Sequence, residues 1–453
     1  MRDPRGGAAV HGCGPAHRKA PAMFPRRTAT ALAAATVLCA TAAPAALATG
    51  TDADAKKPKP PAALYGKGDP TYDGVWRQSM TLLAQDAAGA TPAAKAVDWL
   101  AGQQCADGSF TAYRAEPGDA CDAKKTPADT NATAIAVQAL SATGGRGAVV
   151  DKALDWLRTV QSKDGGWGYN PGGPTDANSV SVVIGAFAAA GERPEKIRKG
   201  DSSPYDALAA LQLGCDAKAA ERGAFAYQPG KDGKLVPNDD ATAAAALAGL
   251  GSGLSVKATG NGGKDGKHRP VEPLDCGKDG AGAKQPLNRG KSADAGAAHL
   301  VSVLNKHEGH LKAVTPGAKG TPDYANTADA VIALGAGGHH AEAKKSLDWL
   351  GGHFDSWDKA KNDPAAISGV MLAVHATGGD PATLKGAKLL DRLNATGPKP
   401  ARMPDKATGA SGGDSSDGDD GNTVLTWSLV GAGLASGAGL GILLSSRRKR
   451  RAL

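Results

Sequence analysis

The sequence predicts an all-α body of stacked helical hairpins, and three recurring features carry that prediction. An apolar helix ending in Asp-Trp-Leu occurs at 96–100, 153–157 and 346–350. The first two copies run on into a Gln and a Gly-aromatic turn, Gln104 to Asp107-Gly108 and Phe110, then Gln161 to Asp164-Gly165-Gly166-Trp167. A degenerate copy runs from Leu211-Gln212 to Gly223, Phe225 and Tyr227. The third feature is a Pro, then Asp or Asn, then a run of small apolar residues. It starts at Pro127, Pro174, Pro237 and Pro322, with a worn copy at Asp363-Pro364. An acid or amide before such a run caps free backbone N–H groups and starts a helix. Repeated hairpins of this kind must stack, as an open solenoid or as a closed ring.

The elements follow in chain order. Met23 opens a basic stretch with Arg26 and Arg27, and an Ala-rich apolar run over 31–48 ends in Ala46-Leu47-Ala48. That is the pattern of a signal peptide cleaved after Ala48, which assigns 1–48 to export with translation starting at Met23. Residues 49–70 read as an extended leader rich in Pro and Lys. The repeats fill 71–395 as about twelve helices. Those ending in Asp-Trp-Leu keep polar faces and lie outside; the small-residue helices pack closely and lie inside. Gly144-Gly145, Gly191 and Gly378-Gly379 close helices. A Gly- and Lys-rich insertion interrupts the body at about 254–290, and 396–422 is a Gly-, Ser- and Asp-rich stalk. The uncharged segment 423–446 is long enough, at ~1.5 Å per residue, to span a bilayer core of ~30 Å. The cations Arg447, Arg448, Lys449, Arg450 and Arg451 follow at once and place the 447–453 tail in the cytoplasm. Trp427 suits the outer interface, and no LPxTG-type sorting signal precedes the segment. The expected localisation is a single-pass cell-membrane protein with its body extracellular.

The formal net charge of +8 sits at the ends. About +5 falls within 1–48 and another five cations within the tail, leaving the extracellular part at about −2. No basic face interleaves with aromatics, so nucleic-acid binding is not expected. Four cysteines remain after removal of the signal, an even count that favours two disulfides in an exported chain. Three pairings are possible; Cys105–Cys121 and Cys215–Cys276 are preferred because each closes a loop between neighbouring helices. A zinc site is the rival, but no CxxC pair supports it.

Trp-Leu, Gln and Asp-Gly-Gly-Trp, best preserved from Trp156 to Trp167, resemble the QW-type repeat of squalene cyclases and protein prenyltransferase β-subunits. The α/α toroid of that superfamily is shared by the vitamin B12 carriers intrinsic factor and transcobalamin. The resemblance covers 71–396 and implies six hairpins in a ring, with a deep cavity lined by the N-terminal ends of the inner helices.

Three functions follow from the resemblance. Cyclases similar in fold protonate their substrate with a DxDD motif; here Pro237-Asn238-Asp239-Asp240 retains Asp239 and Asp240 but has Pro237 in place of the first acid. Alkene protonation needs a strong acid in a dry site, and carbocations need aromatic faces, whereas only 4% of residues are aromatic. Prenyltransferase β-subunits bind zinc through Asp, Cys and His. Asp275-Cys276 lacks the required gap and His375 the required context, so neither metal nor cofactor is expected. A binding toroid needs only export, disulfides and a polar cavity. The expected function is therefore non-catalytic binding of a small molecule, cobalamin-like by resemblance, or of a surface or transporter protein. The alternative is a terpene cyclase or prenyltransferase-like enzyme, with Asp239 and Asp240 as its acids. Asp129, Asn131, Asp176, Asn178, Asp239 and Asn326 are expected as helix caps and, with Asp240 and Asp323, as cavity residues. Trp99, Trp156, Trp167 and Trp349 are expected as structural clamps, and His299, His307, His310, His339 and His340 as solvated.

Overall fold

Twelve α-helices alternate between two roles in the computed structural model, which describes residues 60–256, 269–277, 287–315 and 317–404. The expected signal segment, the uncharged segment 423–446 and the basic tail lie outside the described residues, as do half of the leader and most of the stalk. Among the described residues no helix is long and apolar enough to cross a membrane.

The odd-numbered helices are α1 (Gly74–Ala87), α3 (Thr130–Thr143), α5 (Ala177–Ala189), α7 (Asp239–Gly249), α9 (Tyr324–Ala336) and α11 (Pro364–Ala376). Each packs against the next in this series, and α11 packs back against α1, so the contacts form a closed cycle. The even-numbered helices are α2 (Ala94–Gly102), α4 (Gly147–Thr159), α6 (Pro204–Ala209), α8 (Arg289–Lys306), α10 (His340–His353) and α12 (Leu389–Asn394), and each packs on the odd helix before it. Composition explains the division. α3 buries every residue from Thr130 to Leu140, most of them small, so neighbours approach on all sides. α10 buries only Ala343, Ser346 and Leu350, the i, i+3, i+7 stripe of a helix with one face in water.

One hydrogen-bonded module recurs at the hairpin junctions. Gln104 Nε2 donates to the Gly108 carbonyl in its own turn (3.1 Å) and to Val149 in the next outer helix (2.8 Å). Gln161 bridges Gly165 (2.8 Å) and Ile197 (3.4 Å) in the same way, and Gln212 bridges Gly223 (3.0 Å) and Ser292 (2.9 Å). The glycines are obligatory. Gly108, Gly165 and Gly223 all have positive φ, and a Cβ on any of them would lie 2.3–2.5 Å from a backbone oxygen of the next hairpin. Two residues on, Phe110, Trp167 and Phe225 are fully buried. Their carbonyls accept from the N–H of Asp129, Asp176 and Asn238, the residues that start the following inner helices.

Asp129, Asp176 and Asp323 are N-caps, accepting from Ala132, Ser179 and Asn326 N–H respectively. Asn131, Asn178 and Asn326 are not caps but first-turn residues. Asp239 is also not a cap: Asn238 accepts from Ala241 N–H and starts α7 one residue earlier. Both preferred disulfides are present, Cys105–Cys121 between α2 and α3 and Cys215–Cys276 fastening the insertion. Arg269 holds that insertion too, donating to Asp294 (2.6 Å) and to the Gly337 carbonyl (3.1 Å). His299 and His339, expected in solvent, are buried.

The packed body extends past 71–395 at both ends. Tyr65 is fully buried, its hydroxyl donating to Pro398 O (2.7 Å), and Gly66 N–H donates to Thr396 O (3.0 Å). Gln85 reaches Asn394 (2.7 Å), and Thr91 pairs with Arg402.

Gln212 is buried, and Ser292 Oγ also donates to its Oε1 (2.7 Å). Gln212→Ala leaves two carbonyls and a hydroxyl without this partner, and is expected to cost about 2–4 kcal/mol, read as a lowered urea midpoint at unchanged slope.

Candidate functional site

An inner helix has neighbours on both sides and an outer helix behind it; α1 and α3 are buried along most of their length, while α5, α7, α9 and α11 keep a partly accessible face that turns to the centre of the cycle. The partly accessible residues mark that face. Along α5 they include Asn178 and Val182, along α7 Asp240 and Ala244, along α9 Asn326 and Asp329, and along α11 Ala365 and Gly369. The spacing of three or four residues is one stripe of a helix. Most of each stripe is small or apolar, and its polar members concentrate on α5, α7 and α9.

There the groups meet. Asn178 Nδ2 donates to Asp240 Oδ2 at 2.7 Å, linking α5 to α7. Asp323, the cap of α9, accepts from Asn326 through both backbone N–H (3.1 Å) and Nδ2 (2.8 Å). Asp329 lies one and a half turns further along α9. Burial pushes its carboxyl up to about 8, and the carboxylates of Asp240 and Asp323 push in the same direction. Burial also raises Asp240 to about 6; Asn178 pulls it back while Asp323, Asp176 and Asp239 push it up. Both carboxyls thus keep their protons to higher pH than an ordinary Asp, Asp329 more strongly than Asp240. The patch can offer a carboxyl donor as well as a carboxylate acceptor within one low-dielectric face.

The other expected site residues are placed elsewhere. Asp129 is buried under its cap bond to Ala132 N–H (2.8 Å). Asp176 is fully buried, accepting from Ser179 N–H and Oγ (both 2.8 Å), and burial holds it at about 6 despite those bonds. Asp239 turns to the outer layer, where its Oδ1 meets His299 Nε2 at 3.1 Å. Asn131 is buried, with no hydrogen-bond partner for its Oδ1. The structure thus brings together Asn178, Asp240, Asp323 and Asn326 and separates Asp129 and Asp239 from them.

Asp329 has no place in the sequence expectation, although a signal exists. Six residues past each cap, α3, α5, α7 and α11 carry Ile135, Val182, Ala244 and Gly369; only α9 carries an acid there. Among the described residues, no group of three or more His, Cys, Asp or Glu side chains is arranged to hold a metal ion. Trp349, an expected clamp, stacks with His310 (4.4 Å) and His353 (4.5 Å), joining α10 to the segment after α8.

No protein-family profile and no curated protein matches the chain. It is similar to a solved structure described as the crystal structure of a protein from Actinoplanes, at 16% identity and a TM-score of 0.32. That match covers 65% of this chain and 98% of the other.

The raised carboxyls set a pH dependence. Asp240 and Asp329 bind protons more tightly in the folded chain than in the unfolded one, where an Asp titrates near ~3.9. Stability is therefore greatest below that value and falls as pH rises through about 6 and then about 8. Asp329→Asn should raise the melting temperature at pH 8.5 by about 2–4 °C. The gain should shrink towards zero near pH 4 in a calorimetric series.

Proposed function

We propose that the closed cycle of hairpins is an α/α toroid and that it binds a small polar ligand at its centre without transforming it. The observation that carries this reading is the Asn178, Asp240 and Asp329 patch on the inward face. A buried protonated acid beside an ionised one binds groups that both donate and accept hydrogen bonds, such as amides, or carry positive charge.

Two features favour binding over cyclisation. An acid raised to about 8 is a weaker proton donor than an ordinary carboxyl, the opposite of what alkene protonation requires. The large aromatics Tyr65, Phe110, Trp167, Phe187 and Phe354 are fully buried in packing, so none of these five presents a face to a carbocation. The two disulfides support an extracellular body. In this reading the uncharged segment 423–446 tethers it beside the membrane, where it holds its ligand for a transporter or another surface partner.

Cobalamin, suggested by the likeness to the B12 carriers, is the first ligand to try. Purified protein should retain cobalamin colour through gel filtration and melt at a higher temperature with it. Asp240→Ala combined with Asp329→Leu should weaken retention at least tenfold, about 1.4 kcal/mol. Retention that ignores both substitutions would move the site elsewhere. Turnover of squalene or an isoprenoid diphosphate that Asp240→Asn abolishes would replace the binder with an enzyme.

A further inference from the structure

A cavity lies in the outer layer, between α6, α7 and the start of α8 and away from the inward acidic face. The cavity measures about 240 Å³. Leu208, Phe225, Ala245 and Leu287 form its apolar lining, and Tyr205 and Arg289 stand among its polar lining groups. Ala245 lies five residues beyond Asp240 on α7. At 3.6 residues per turn that is roughly 140° around the helix, so this cavity and the acidic patch use different faces of α7.

Two of the polar lining groups are already engaged. Asp206 forms the capping box of α6 with Ser203, and Ser292 Oγ donates to Gln212. Arg289 is exposed, and its guanidinium lies 5.3 Å from the centre of the Tyr205 ring. Its Nη1 meets the Tyr205 hydroxyl at 3.5 Å, a long bond to a neutral phenol. Arg289 is also the first residue of α8, where the aligned peptide dipoles add positive potential. The acids that temper this potential are Asp206 and Glu195, whose carboxylate feels Arg289.

We propose that this cavity binds a short amphipathic monocarboxylate, with its carboxylate on Arg289 and the Tyr205 hydroxyl and its apolar tail among Leu208, Phe225, Ala245 and Leu287. A guanidinium matches a carboxylate with two parallel hydrogen bonds, which a phenol alone cannot supply. At ~30 Å³ per water-sized group the cavity has room for about eight such groups. An eight-carbon acid therefore fills it with its head at the mouth.

The test uses the full chain in detergent and octanoate as the probe, followed by saturation-transfer NMR. Octanoate should bind with a Kd below about 1 mM, and binding should weaken as sodium chloride is raised. Octylamine should not compete, because Arg289 repels it. Arg289→Gln should weaken octanoate at least tenfold and leave octan-1-ol unchanged. Ala209→Phe, placed at the rim of the cavity, should block both probes. Near-UV circular dichroism and melting temperature establish that each variant is folded before its binding is read. Absence of octanoate binding to the unaltered protein would overturn the proposal. So would octylamine competing as well as octanoate, or binding that neither folded variant alters.

Discussion

The described part of the molecule depends on a side-chain amide that joins one hairpin to the next. Gln104, Gln161 and Gln212 each reach the carbonyl of a turn glycine and a second carbonyl of the next hairpin, inside the outer helix for Gln104 and Gln212 and in the loop ahead of it for Gln161. A hairpin whose inner helix is made of small residues buries little surface per side chain, and apolar contact alone would let neighbours slide. Two directed bonds from one buried amide fix the register, because an unpaired carbonyl in that position is costly. The turn glycine must have positive φ and no Cβ, since the next hairpin's backbone occupies that space. Glutamine, glycine and buried aromatic are therefore a single device.

Cyclic closure follows from repeating this step, and the centre follows from closure. The inner helices α5, α7, α9 and α11 have one face left over, and most of those faces are small or apolar. From α5 to α9 they carry Asn178, Asp240 and Asp329, so polar groups that would be solvated on an open surface lie close together inside protein. Their raised proton affinities are a consequence of that enclosure. The outer layer has no comparable constraint. Its helices range from six residues in α6 and α12 to eighteen in α8, and the cavity beside Arg289 lies between the short α6, α7 and the start of α8.

Much of this was legible because the pattern repeats. The Asp-Trp-Leu helices declared their outward faces through apolar spacing, and Asp129 and Asp176 could be recognised as caps from the Pro before them and the small residues after, whereas at α9 the cap is Asp323 and not the expected Asn326. At α7 the same logic slipped by one residue: two acids follow Asn238, and an amide caps as well as an acid does. Asp329 escaped because it lies in mid-helix, where it resembles a solvated charge until the cycle encloses it. The closing seam escaped for a different reason. Tyr65 and Gln85 belong to no repeat, and the Tyr65 partner lies 333 residues away at Pro398. Arg269 was likewise hidden in a Gly- and Lys-rich stretch that gave no hint of the buried Asp294 it meets.

The seam also determines how the body responds to pulling. The chain enters beside Gly66 and leaves beside Thr396, and these two residues are hydrogen-bonded to each other. Tension applied to the two ends of the body acts first on the few bonds that join them: Tyr65 to Pro398, Gln85 to Asn394, Thr91 to Arg402. The glutamine-clamped junctions on the far side lie outside that direct line of force. Stretched from its ends, the body loads this one seam, the packing of α1 on α11 included, before its other hairpins feel the force.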